Sequence, residues 1–286
     1  MTIPTRKPDW LRKPHTPLAD TAPVRRAIHD GALNTVCRSA RCPNLAECYA
    51  AGVATFLILG GQCARGCGFC AVTRGSGNGE WDRDEPDRVA QAARAMALRH
   101  AVITSVTRDD LPDGGAEAFV QTIRAVRAAL PGATIEVLTP DFLGREESIL
   151  AVAAAAPDVY NHNVETVPAL YSIVRPKAEY QRSVRLLETV KSRFPAITTK
   201  SGVMLGLGET HEQVVEVMRG LRAAACDILT IGQYLRPAMN NLPVAEYVPP
   251  ERFEEYARLG KEMGYRTVFA GPFVRSSYHA GTLLRA

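Results

Sequence analysis

The chain has 286 residues, 46% hydrophobic and 22% charged, a globular composition with length for one large α/β barrel or two small domains. A net charge of +4 without blocks of Lys or Arg argues against a phosphate-tracking surface, and so against nucleic acid, while admitting an acidic protein partner. Residues 1–13 contain no apolar core of the secretory kind and no apolar run is long enough to span a bilayer, so seven cysteines, six of them between positions 37 and 70, are expected in a reducing cytoplasm, binding metal rather than forming disulfides.

Residues 1–20 carry Pro4, Pro8, Pro14 and Pro17 and are expected to form an extended arm, an appendage to the fold. Residues 23–29 predict a short helix stopped near Gly31. Cys37, Cys42 and Cys48 follow with C-x4-C-x5-C spacing, and Pro43 and Asn44 supply turn chemistry between them. Three thiols this close look like a cluster site, the alternative being small apolar fillers of a core. The apolar run 53–59 reads as a strand, and directly after it Cys63, Cys67 and Cys70 are spaced C-x3-C-x2-C in a glycine-containing loop. Such a loop can wrap one compact inorganic core, and three ligands on a four-iron cube leave one iron open to a small chelating ligand. A structural zinc knuckle is the competing reading, but zinc usually pairs C-x2-C with a second, distant pair.

Beyond the loop, helices predicted at 85–98, 115–130, 148–156, 179–194, 210–225 and 250–263 alternate with strands at 101–106, 134–138, 158–164, 199–205, 227–234 and 266–270. With 53–59 this makes seven strand candidates. Right-handed crossovers place all strand-to-helix loops on one face, so 60–70, 108–114 and 206–210 should share a rim. Gly206-Leu207-Gly208 lacks the third glycine of a dinucleotide loop, which disfavours a doubly wound nucleotide fold and leaves an incomplete barrel. Among single residues, Cys226 reads as a buried small side chain. His162, between Asn161 and Asn163, could orient a ligand or be a satisfied core histidine. Glu165 and Arg175 are candidates for holding a polar ligand, and Asp109, Asp110 and Asp113 are expected to fix loops by capping.

With both triplets in view the sequence resembles the lipoyl synthase family of the radical S-adenosylmethionine (SAM) superfamily, from about Asn34 to Gly281. Cys37-x4-Cys42-Pro43-Asn44-x3-Cys48 looks like that family's auxiliary-cluster motif, and Cys63-x3-Cys67-x2-Cys70 like its SAM-cluster motif. The runs 104–116, 161–166 and 200–210, and the near-terminal Arg275-Ser276-Ser277-Tyr278, are similarly family-like. Gly66 stands where the family often has Arg, and Lys177 follows Pro176 where Gly is usual.

The resemblance implies an α/β fold, an incomplete (β/α)6-type parallel barrel over residues 51–270. An N-terminal extension (1–50) and a C-terminal segment (271–286) would cover its mouth. It implies two [4Fe-4S] clusters and SAM, with Cys63, Cys67 and Cys70 on the SAM-binding cluster and Cys37, Cys42, Cys48 and Ser277 on the auxiliary one. Asn161, Glu165 and Arg175 would contact SAM. The implied reaction is radical insertion of two sulfur atoms at C6 and C8 of a protein-bound octanoyl group, the sulfur coming from the auxiliary cluster. Implied partners are an octanoylated lipoyl carrier (the E2 of a 2-oxoacid dehydrogenase or the glycine cleavage H protein), a flavodoxin or ferredoxin as electron donor, and a cluster-repair carrier. Another radical SAM sulfur-inserting enzyme, methylthiotransferase-like or biotin-synthase-like, is the alternative. A two-cluster electron carrier would neither bind nor cleave SAM.

Overall fold

The computed structural model describes residues 6–13, 16–278 and 280–283. Helices α1 (Ala22–Asp30), α2 (Val36–Ser39) and α3 (Leu45–Ala50) and a short strand β1 (Asn34–Thr35) precede β2 (Thr55–Ile58) and a small ladder of β3 (Gln62–Cys63) with β4 (Thr73–Arg74). Then come α4 (Glu85–Ala95), β5 (His100–Ser105), α5 (Ala116–Ala129), β6 (Thr134–Leu138), α6 (Glu146–Ala154) and β7 (Val159–Asn161). The chain continues through α7 (Tyr171–Val174), α8 (Tyr180–Arg193), β8 (Thr198–Leu205), α9 (His211–Ala223), β9 (Ile228–Gln233), α10 (Pro250–Glu262), β10 (Thr267–Gly271) and α11 (Ala280–Leu283).

The large sheet runs β1-β2-β5-β6-β7-β8-β9-β10. Only β1 is antiparallel, and the seven strands from β2 to β10 are parallel with a helix crossing between successive members. All seven predicted strands are therefore present, in an open sheet whose edges among the described residues are β1 and β10. The strand expected over 158–164 stops at Asn161, and the backbone turns left-handed at Glu165 (φ 66°). Two of the helices begin where the sequence supplies partners for their first amides. Asp113 accepts from Gly115 and Glu117 at the start of α5, and Thr210 with Gln213 forms a capping box on α9.

Register separates the two faces of the sheet. Ile103, Val137 and Tyr160 align across β5 to β7, as do Val203 and Ile231 across β8 and β9, and all five belong to one core with the stripes of α4, α5 and α8. The alternate positions align Val102 with Glu136, Leu138 with Asn161, Asn161 with Lys200, and Gly202 with Thr230. Val102, Val159 and Ile228 on that side, though buried, stand apart from the helix-covered core. The inner face thus mixes a buried polar cluster with apolar side chains. Lys200 is 1% exposed and donates to both oxygens of Glu136 at 2.9 and 3.0 Å, and Asn161 donates to the same carboxylate at 3.1 Å. A fully buried lysine is tolerated only with such a partner.

The N-terminal arm, expected to be extended on the surface or partly disordered, is mostly exposed among its described residues but is more structured than expected. Asp9–Leu11 and Leu18–Thr21 form 3-10 turns, Leu11 is buried, and Lys13 pairs with Glu47. The arm is packed because an apolar and a cationic side chain both find partners on the fold. Pro4 and Pro14 lie outside the described residues.

Candidate metal centres and the surrounding site

Leu59 (φ 69°) and Gly60 (φ 92°) turn the chain out of β2, and the Leu59 N–H is held by the buried Glu85 carboxylate at 2.7 Å. The loop that follows is fixed from several sides. Ala64 donates its N–H to Thr107 O at 2.9 Å, Gly68 donates to Val174 O at 2.9 Å, and Leu242 donates to Gly68 O at 3.0 Å. The Asn241 side chain donates to Gly68 O at 3.2 Å and Cys70 O at 2.9 Å. A Cβ at Gly68 would come within 2.8 Å of Leu242 and 3.1 Å of the Ile173 carbonyl, so the close approach needs glycine. Backbone N–H groups already point at two of the sulfurs, Thr107 at Cys63 Sγ (3.3 Å) and Val72 at Cys70 Sγ (3.5 Å). Burial raises the Cys67 thiol and pushes Cys70 up to about 12, with Cys63 and Glu165 adding negative charge. Buried thiols of this kind lose their protons to a metal rather than to water.

The other triplet sits at the seam of the open sheet. Cys37 is buried, and Thr55, the first residue of β2, partly offsets the rise that burial imposes on its thiol. The segment is compacted by backbone bonds from Cys42 to Cys37 O (3.0 Å), Cys48 to Asn44 O (2.9 Å) and Val53 to Cys48 O (2.8 Å). Burial, then the neighbouring cysteines, pushes Cys48 up to about 12, and burial pushes Cys37 to about 11. The chain beyond β10 is tied to this segment on both sides of Ser277. Asn44 Nδ2 donates to Phe273 O at 2.8 Å, and the Tyr278 hydroxyl donates to Glu47 Oε1 at 2.6 Å. Lys13 lies over the rings of Phe273 and Tyr278, 4.9 and 5.1 Å from their centroids. To get there the tail crosses β9, where a Cβ at Gly232 would stand 2.1 Å from Val274 O. Among the described residues no three Cys, His, Asp or Glu side chains converge tightly enough to hold a lone metal ion. A four-iron cube takes each thiolate on a different iron and spreads its ligands further apart.

The two triplets share neighbours. Burial lowers the Arg275 guanidinium, with Cys42 and Glu165 acting the other way, and Glu165 in turn raises Cys67 and Cys70. The loop after β9 touches both as well, through Asn241 on one side and the Arg41 bond to Pro237 O at 3.2 Å on the other.

The sequence profile of the Radical SAM superfamily matches residues 57–221. A lipoyl synthase of Caldanaerobacter subterraneus subsp. tengcongensis is 56% identical over 280 residues, 98% of this chain and 97% of that protein. One of Rubrobacter xylanophilus is 53% identical over 274 residues, 96% and 85% of the two chains. The chain belongs to the lipoyl synthase family. Its fold is shared with the crystal structure of a methylornithine synthase (TM-score 0.57, 15% identity, 74% of this chain and 62% of that one). It is shared equally with the FeFe-hydrogenase maturase from Carboxydothermus hydrogenoformans (TM-score 0.60, 17% identity, 80% and 55%). Less than two thirds of either solved chain is spanned, and at such identities the likeness is one of fold.

As a lipoyl synthase family member the chain uses [4Fe-4S] clusters and SAM, and the thiol-rich triplets, half-buried apart from the buried Cys37, suit iron ligation. Arg175 is buried and donates to Asn163 O, Val164 O and the Tyr171 hydroxyl at 3.0, 3.3 and 3.1 Å, while its Nε has no partner among the described residues. Glu165 accepts from Asn163 Nδ2 at 3.1 Å, and burial raises its carboxyl against the pull of Arg175. Asn161 spends its Nδ2 on Glu136, leaving Oδ1 unpartnered.

The two departures from the family pattern meet on one loop, since Lys177 donates to Ala64 O at 3.2 Å, two residues from Gly66. His162 is a core histidine, fully buried between Thr139 O and Ser183 Oγ at 2.8 and 2.9 Å, and Cys226 is a buried small side chain. Of the three aspartates only Asp113 caps a helix. Asp109 pairs with Arg65, and Asp110 both pairs with Arg108 and holds a loop by accepting from the Gly79 N–H at 3.2 Å, because buried guanidinium groups need carboxylates. Sequence reading missed Arg65, Gly232 and Asn241, and gave Arg275 no role beyond its motif. For Arg275 the motif was the only signal, and the others show their roles only through partners distant in sequence.

Proposed function

We propose that residues 51–270 form the catalytic barrel and that residues 1–50 and 271–286 are extensions completing a second cluster site at its seam. In this reading Cys63, Cys67 and Cys70 hold the SAM-binding cluster, and Cys37, Cys42, Cys48 and Ser277 hold the auxiliary cluster. The chain is then a sulfurtransferase that forms the lipoyl group on a protein-bound octanoyl chain. The observation that carries the reading is that the chain builds two separate cysteine sites, the 63–70 loop held by Thr107, Val174 and Leu242 and the 37–48 segment held by the C-terminal tail through Asn44–Phe273 and Glu47–Tyr278.

When bound, the clusters and SAM supply the electron, the hydrogen-abstracting radical and the sulfur, chemistry that no side-chain acid or base can perform on an unactivated C–H bond. The protein's part is placement and exclusion of water. The unpartnered Arg175 Nε suits the SAM carboxylate, Glu165 the ribose, and the free Oδ1 of Asn161 a further donor on the ligand. The tail across Gly232 shields the inner face. A serine oxygen is a harder donor than thiolate and a weaker match for iron, so Ser277 would stabilise a resting cluster while remaining displaceable when sulfur is given up.

The carrier would be an E2 lipoyl domain or a glycine cleavage H protein, the reductant a flavodoxin or ferredoxin, with a carrier protein restoring the auxiliary cluster in the cytoplasm. Among the described residues no helix is long and apolar enough to cross a membrane. Anaerobic incubation of the loaded enzyme with octanoylated carrier, SAM and reductant tests the reading by mass spectrometry. Two sulfur atoms gained by the octanoyl chain with 5′-deoxyadenosine formed is the expected result. Sulfur transferred only to RNA or dethiobiotin would move the chain to another radical SAM reaction, and absence of SAM cleavage would make it an electron carrier.

A further inference from the structure

Between the cysteines of the 63–70 loop one residue alone, Arg65, is buried, and neither ligation nor SAM binding accounts for it. Its guanidinium grips Asp109, in the loop after β5, through Nε and Nη2, both at 2.9 Å. Nη2 also donates to Asp141, in the loop after β6, at 2.6 Å. The Asp141 side chain is fully buried, and its carboxylate also takes the Leu143 N–H at 3.1 Å and Arg182 Nη1 at 3.3 Å. The Gly144 N–H reaches the Asp141 carbonyl at 2.8 Å. These contacts close a turn in which Phe142, Leu143 and Gly144 are all left-handed, with φ of 47°, 54° and 77°. Two of the three carry side chains, for which this conformation is unfavourable, so it persists only where its surroundings over-determine it. Phe142 supplies the other anchor by packing edge-on against Phe119 at 6.2 Å.

We propose that Arg65 is a positioning residue that ties the Cys63–Cys67 half of the cluster loop to the strained turn at 142–144, so that loop and turn order together and the iron not bound by cysteine faces SAM. The proposal rests on the reading of Cys63, Cys67 and Cys70 as the SAM-cluster site. Three cysteines suffice to retain iron, whereas the direction in which the cluster presents its open position depends on what holds the intervening backbone. Ala64 is held by Thr107 and Lys177. Among the described residues Arg65 carries that hold across to the β6 side of the barrel.

Two measurements test this in Arg65→Gln, Arg65→Lys and Asp141→Asn. In the metal-free chain, hydrogen–deuterium exchange at 142–145 should accelerate by about tenfold or more in Arg65→Gln. In the anaerobically loaded enzyme the same variant should keep wild-type iron while SAM affinity, read from the paramagnetic resonance spectrum of the reduced cluster, falls by about tenfold. Arg65→Lys, which keeps the charge but not the bidentate fork, should fall between. Arg65→Gln combined with Asp141→Asn should lose less than the sum of the two single variants, because they share the Arg65–Asp141 contact while Asp141 also holds Leu143 and Arg182. Unchanged exchange, or normal SAM affinity in a fully loaded Arg65→Gln, would overturn the proposal, as would additive losses in the double variant. Should Arg65→Gln fail to fold, Arg65→Lys carries both measurements alone. A Cys63/Cys67/Cys70→Ala chain that still bound SAM would instead sink the assignment of the loop and leave the Arg65 contact as pure scaffold.

Discussion

The two cysteine triplets are held by different kinds of contact. The 63–70 loop is clamped to the barrel by main-chain hydrogen bonds with Thr107, Val174 and Leu242, to which the Asn241, Lys177 and Arg65 side chains add. The 37–48 segment is closed instead by side chains reaching across the chain's two ends, Asn44 to Phe273, Glu47 to Tyr278 and Lys13 to Glu47. Main-chain clamps form with the barrel and persist with it, whereas side-chain contacts between termini can open without unfolding the sheet. The difference fits the proposed division of labour. A cluster that cycles electrons belongs in the permanent site, and one that gives up sulfur and must be rebuilt belongs in the site that can be reopened.

The largest effect that would break this comparison comes from the barrel loop. Cys63/Cys67/Cys70→Ala should abolish 5′-deoxyadenosine formation while the seam site still takes up iron. Continued SAM cleavage would remove the loop from radical generation. Next in size is Ser277→Cys, which should retain the auxiliary cluster through a stronger iron–thiolate bond yet slow or block lipoyl product in a single turnover. Full product at normal rate would reduce the serine to a structural role.

Tyr278→Phe sharpens the claim that the seam is closed by side chains. Loss of one hydrogen bond to a carboxylate costs roughly 1.5–3 kcal/mol, so iron should leave the auxiliary site several-fold faster on chelation while SAM cleavage stays unchanged. Equal iron loss from both sites would show that they are not independently held.

The smallest effect at neutral pH belongs to His162, which supports the barrel and not the seam. Burial lowers its pKa from 6.5 to about 4. The unfolded chain therefore binds the extra proton between those values, and stability is fully present above about 6.5 and lost as pH falls toward 4, by up to about 3 kcal/mol. Urea midpoints at pH 7.5 and 5 should diverge less in His162→Gln than in the wild type. Equal divergence would assign the acid sensitivity to other groups.

The repeating strand and helix pattern was legible because each element has its own periodicity, and 134–138 was placed to the residue. The cysteine spacings were equally local. What the sequence did not display is set by distant partners. Lys200 sits in the polar first half of β8, among Thr198, Thr199 and Ser201, and its burial is explained by Glu136, 64 residues earlier. Asp109 and Asp110 look like turn residues until Arg65 and Arg108 are placed beside them. Nothing near Gly232 announces that a C-terminal tail must pass over it. The seam itself needs residues about 230 positions apart, as in the Glu47–Tyr278 bond, and no local pattern encodes such a pairing.

The central claim is that the triplets are separate sites with separate tasks, and iron counting in Cys37/Cys42/Cys48→Ala tests it most directly. Anaerobically prepared wild type should carry about eight irons per chain and this variant about four, with 5′-deoxyadenosine still formed from SAM and no lipoyl product. A variant that keeps the full iron content, or that makes lipoyl product at the wild-type rate, would contradict the account.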